Sequence, residues 1–143
     1  HTDLTGSNIT YTPPTGTTTV VYTFTFVFHS DEYSGISHYK LLIDSTEVVL
    51  GRRTLASGYD SNHHATLRMN FDYPILIDST LASDDIANAK LKSWTSPRTL
   101  KMQAREYSGS YEATIHKNSW WDGAGASGDS VIGTPTISLK AIA

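Results

Sequence analysis

The chain has 143 residues, no cysteine and a net charge of −3 with its six histidines neutral. That length suits one domain with a real core, and the missing cysteines exclude disulfides, thiolate metal sites and a cysteine nucleophile. A slightly acidic chain has no general attraction to phosphate backbones or anionic bilayers, so neither nucleic acid nor membrane insertion is expected.

No stretch approaches the roughly 18 apolar residues of a membrane helix, and the N-terminus lacks a basic-then-apolar signal segment. The first residue is His1 and not Met, so a processed protein or a piece of a longer one is expected, with the piece favoured. Residues 1–16 read as an N-terminal arm, because two prolines and a glycine in "YTPPTG" make an irregular approach. Residues 17–143 read as a single domain.

Taken in chain order, "TTTVVYTFTFVFHS" comes first, where Tyr22, Phe24, Phe26 and Phe28 alternate with Val21, Thr23, Thr25 and Val27. Strand side chains point to opposite faces in turn, which predicts a strand with a deeply buried aromatic stripe. "HYKLLIDSTEVVLGRR" predicts a hairpin, with strands over Tyr39–Ile43 and Val48–Leu50 around a turn from Asp44 to Glu47. "ATLRMNFDYPIL" sets Leu67, Met69, Phe71 and Tyr73 against Arg68, Asn70 and Asp72, a strand half exposed to water before Pro74. "LASDDIANAKL" supports one helical turn, with Ser83 as a cap. "RTLKMQAREY", "YEATIHKNSWW" and "PTISLKAIA" supply three further strands.

About seven or eight short strands with almost no helix define an all-β chain, an antiparallel β-sandwich or barrel. No internal repeat suggests a propeller or solenoid.

"VVYTFTFVF", "ISHYKLLIDSTEV", "WTSPRTLKMQAREYSGSYEATIHKNSWWDG" and "PTISLKAIA" together resemble a domain at the C-termini of structural proteins of marine bacteriophages and related aquatic viruses. The resemblance spans nearly the whole chain, and "QAREY", the "H…WWDG" segment and the terminal "LKAIA" are its most specific parts. It implies a place on the virion surface, at the end of a fibre or appendage. By looser analogy it implies a trimeric jelly roll like the C1q and tumour-necrosis-factor heads. It carries no mapped binding residues.

The densest chemistry lies in "HKNSWWDGAGASGDS", residues 116–130. On a strand, Trp120 and Trp121 point to opposite faces, so one of them turns inward as a core or subunit-contact residue. Trp120 is assigned that part. Trp121 is then free to stack on a sugar ring with Asp122 beside it, although an aromatic next to a carboxylate is also common without a ligand. A calcium loop fails, because the third and fifth positions from Asp122 are Ala124 and Ala126. The adjacent His63 and His64 could meet zinc with Asp60 only on a loop, and a solvated polar loop explains them as well. No metal and no cofactor is expected. The chain has no G-x-S-x-G, H-E-x-x-H or P-loop, so no enzyme and no catalytic residue is expected.

Binding candidates are therefore Trp121, Asp122, Tyr107, Tyr111 and His116, with Tyr59 and His63 as a second patch, because loops on a rigid sandwich carry recognition. Arg105 and Glu106 sit mid-strand in "QAREY" and read as structural or interface residues, Arg105 above all because its planar fork satisfies several acceptors. The expected function is host attachment by a virion-surface head domain, a homotrimer whose partners are a host glycan or receptor and other virion proteins. The alternative is a cementing, decorating or fibre-capping trimerisation module without a ligand.

Overall fold

The structure is a computed structural model that describes residues 1–30, 35–56, 65–117 and 133–143, with only the backbone of residue 65. Its strands are β1 (Thr2–Asp3), β2 (Ile9–Tyr11), β3 (Thr19–Ser30), β4 (Ile36–Ile43), β5 (Thr46–Ala56), β6 (Ala65–Ile77), β7 (Lys90–Leu91), β8 (Arg98–Glu106), β9 (Thr114–Ile115) and β10 (Thr136–Ile142). They form two five-stranded sheets packed face to face, the expected β-sandwich. One runs β1-β8-β4-β5 with β2 also on β8, the other β10-β3-β6-β7 with β9 also on β3.

Among the described residues ten strands replace the seven or eight expected. The additions are β1, β2 and β7, which have two or three residues each, too few for a period of two to register in sequence; the strand expected in "YEATIHKNSWW" is, among the described residues, the two-residue β9. Among the described residues one pairing is parallel, β6 with β7, and the others are antiparallel. Residues 2–11 give β1 and β2 to the edge of β8, and Leu4 and Ser7 within this segment are buried.

The long strands pair in nested fashion: β4 with β5 innermost, β3 with β6 around them, and β8 with β2 outside. This wrapping is that of a jelly roll. β10 returns to lie beside β3, with Ile142 opposite Thr19, and among the described residues no strand pairs with its other side.

The aromatic stripe of β3 fills the space between the sheets. Tyr22, Phe24, Phe26 and Phe28 are buried and meet Tyr39, Leu41 and Ile43 of β4, Phe71, Tyr73 and Ile75 of β6, and Leu100 and Met102 of β8. Each such side chain contributes about 2 kcal/mol by leaving water. On the outer side of β3, Thr23 donates to Asp72 Oδ1 at 2.6 Å and Thr25 to Asn70 Oδ1 at 2.7 Å. The alternation on β6 holds for Phe71 and Tyr73 but not at its start, where Leu67 is 45% exposed.

Pro74 does not end β6, which continues to Ile77. The amide of Leu76 points away from β3, donating to Ala89 O at 2.9 Å. Pro74, two residues earlier, therefore has its missing donor on the same side, and pairing there begins only at Leu76. The single helical turn is a 3-10 turn at Ile86–Asn88, with Asp85 and not Ser83 at its start.

Candidate functional site

The outer face of the β1-β8-β4-β5 sheet collects chemistry from strands distant in sequence. The alternation of β4 sends Tyr39 and Leu41 into the core and leaves His38 and Lys40 outside. Across the ladders, His38 lies opposite Arg105 of β8 and Thr54 of β5, and its Nδ1 is 3.1 Å from Thr54 Oγ1.

β5 carries a wide bulge. Tyr39 pairs with Arg53 and Leu41 with Val48, so Val49 to Arg52 face Lys40 alone. Gly51 makes the bulge possible: a Cβ there would sit 3.0 Å from Cε1 of Tyr73 and 3.1 Å from Val48 O. The bulge places Val49 and Leu50 in water. Arg53 donates to the carbonyls of Leu50 and Arg52, and its guanidinium lies 5.3 Å from the centre of the Tyr73 ring, a cation–π contact. Arg52 donates to Glu47 at 2.6 Å and Lys40 approaches the same carboxylate at 3.7 Å. The Arg52 hydrogen bond holds the Glu47 carboxyl below its usual value.

A hollow of about 260 Å³ opens between these side chains. Lys40, Arg52, Arg53 and Arg105 line it, against Glu47 as its one carboxylate. Among the described residues Arg105 makes no side-chain hydrogen bond or ion pair, and it is exposed.

An aromatic edge borders the hollow. Beyond β8, the amide of Tyr107 donates to Ile36 O at 2.8 Å and the amide of Tyr111 to Ser108 O at 2.9 Å, a turn that folds Tyr111 back. The two rings meet at 5.8 Å and 69°, and Tyr107 also faces His38 at 6.2 Å. Tyr107 is 60% exposed.

The structure thus brings together three residues singled out in the sequence, Tyr107, Tyr111 and Arg105. Arg105 lines the hollow and, together with Glu106, Ala104 and Ile115, also lines an adjoining opening of about 300 Å³; both charged residues are exposed.

His116 stands apart. Its backbone is left-handed, with φ 67°, its amide donates to Val27 O at 2.7 Å, and its ring meets Phe24 and Phe26 edge-on at 6.3 Å each. Nε2 donates to Thr5 O at 3.2 Å, while Nδ1 is buried without a partner among the described residues. Burial lowers its pKa.

Trp120, Trp121, Asp122, Tyr59 and His63 lie outside the described residues. Among the described residues no three His, Asp or Glu side chains converge as a metal site would require. His38, Lys40 and Thr54 had no sequence motif; only the alternation of "ISHYKLL" puts His38 and Lys40 on one face. Trp94 was also missed: it is buried, donates to Tyr11 O at 3.1 Å and pins β2.

Fold and face together define a jelly-roll-like β-sandwich whose outer sheet carries a cationic hollow edged by tyrosines. No family model matches the chain, and neither a curated protein nor a solved structure matches it.

Proposed function

We propose that this chain is a non-enzymatic virion-surface head domain that attaches to glycans of a host cell. The observation that carries the reading is the contact of exposed Tyr107 with half-buried Tyr111, just beyond the end of β8 and beside His38. Tyrosine rings stack on the apolar face of a pyranose at little entropic cost, while hydroxyl and imidazole groups bond its hydroxyls. The sequence resemblance supports the viral setting and a homotrimer, and three sites on one particle turn weak sugar contacts into firm attachment.

The test is binding of the purified chain to host cells and immobilised glycans, comparing wild type with Tyr107→Ala. The variant is expected to keep its thermal midpoint and lose about tenfold or more in retention. Equal retention by both proteins, or none by wild type, overturns the reading.

A second reading, a cementing or fibre-capping module, draws on β10. Its outer side carries no strand among the described residues, and Ile142 and Leu76, both opposite Thr19, are about 40% exposed. On that reading Ile142→Glu lowers the native mass from oligomer to monomer, and Tyr107→Ala changes nothing.

A further inference from the structure

We infer that the hollow on the outer face of the β1-β8-β4-β5 sheet is a binding site for an anionic sugar unit, one that carries a carboxylate or sulfate group. The inference rests on the glycan-attachment reading and names the class of glycan.

Charge placement is the first argument. The whole chain carries −3, yet four of its cations converge on one hollow with a single carboxylate. Like charges gathered on one face repel each other, and Arg53 is engaged by the Tyr73 ring and by the carbonyls of Leu50 and Arg52. Glu47 is already engaged by Arg52 and Lys40, which leaves Arg105 without an anionic partner among the described residues. An arginine fork presents parallel N–H donors that match a carboxylate or sulfate.

Size and surroundings are the second. A volume of about 260 Å³ admits one or two sugar rings and no more. The positive area is also bounded: Asp3 neutralises Lys101 at 2.9 Å and accepts from Gln103 at 2.7 Å on the neighbouring rows. A nucleic acid needs a longer cationic track for its successive phosphates.

The third is the neighbouring aromatic edge. His38 belongs to both features, since it lines the hollow and faces Tyr107. A saccharide whose acidic group meets Arg105 has its next ring against Tyr107.

The experiment measures binding of the full chain to dextran, dextran sulfate and polygalacturonate over a series of salt concentrations. Both anionic polymers are expected to bind more tightly than dextran and to weaken with salt. Arg105→Glu should lower anionic binding by about tenfold or more, and Arg105→Gln by less. Lys140→Glu, on the opposite sheet, should match wild type. If dextran binds as well as the charged polymers and Arg105→Glu has no effect, the acidic assignment fails while glycan attachment stands. If no polysaccharide binds to the folded protein, both fail. Equal losses in Lys140→Glu and Arg105→Glu, equal affinity for inorganic sulfate, or tighter binding of a single-stranded oligonucleotide would each overturn the inference.

Discussion

The hydroxyl of Ser7 accepts the backbone N–H of Met102 at 3.0 Å, taking the place of a strand residue in the ladder. β1 pairs with β8 at Gln103 and Ala104, and β2 pairs with it from Leu100 down to Arg98. Met102 lies in the gap. Its carbonyl is satisfied by the amide of Leu4 at 2.9 Å, and its amide only by Ser7. The one proton of Ser7 goes to Leu4 O at 2.7 Å, and its carbonyl accepts from the Tyr22 hydroxyl at 2.6 Å.

Ser7→Ala should therefore cost about 2 kcal/mol, because it strands a buried N–H that no water replaces. Urea unfolding should show a lower midpoint with an unchanged slope. Loss of less than about 0.5 kcal/mol would mean that the segment is not held by this hydroxyl.

Two buried tyrosines should respond in opposite ways to loss of their hydroxyls. Tyr22 donates to Ser7 O, whereas the hydroxyl of Tyr73 has no hydrogen-bond partner among the described residues. Burial raises the pKa of both, so both are neutral donors at any physiological pH. Tyr22→Phe should destabilise by about 1–3 kcal/mol, and Tyr73→Phe should be neutral or stabilising. Paired thermal melts check the contrast.

His116 predicts a pH dependence. Its folded pKa lies below the ordinary 6.5 because burial disfavours the charged ring. As pH falls through about 6.5 the unfolded chain takes up a proton that the folded one resists, so stability declines until the folded ring is protonated too. His116→Asn keeps a residue that tolerates left-handed backbone and cannot titrate, so its melting temperature should vary less between pH 7.5 and 5, about the ordinary histidine range. Asp3, Glu47 and Asp78, held below their ordinary values by their hydrogen-bond partners, of which Lys101, Arg52 and Thr80 come first, lose their contributions only in a separate, more acid window.

Gly51→Ala should push the new methyl against the Tyr73 ring and Val48 O. The expected cost is about 1–2 kcal/mol. Anionic binding should weaken with it, because the bulge places Arg52 and Arg53. A variant that is fully stable and binds normally would show that the bulge can relax without moving its arginines.

Long strands were legible because burial on one face writes a period of two into them, and β3 with its four buried aromatics is the plainest case. The short strands were not, since β1 is recognisable only by what it pairs with. Tyr107 and Tyr111 could be proposed together because a tight turn joins them. The hollow could not, because Lys40, Arg52 and Arg105 come from three strands and meet through register, which no local pattern encodes. As a linear segment the paired arginines at positions 52 and 53 are too few for a basic patch. The left-handed backbone of His116, with its ring against Phe24, leaves no mark in the sequence.

The nested strand order also sets the time course of folding. Ile142 must find Thr19 and Ala104 must find Thr2, separations that make loop closure slow. Once the two-residue turn at Asp44 closes β4 on β5, with Asp44 at φ 56°, each outer pair has a shorter remaining loop to span. The turn is thus the natural nucleus and the chain ends arrive last. Asp44→Ala should act chiefly on the refolding rate, while Ser7→Ala, with the same loss of stability, should act on the rate of unfolding.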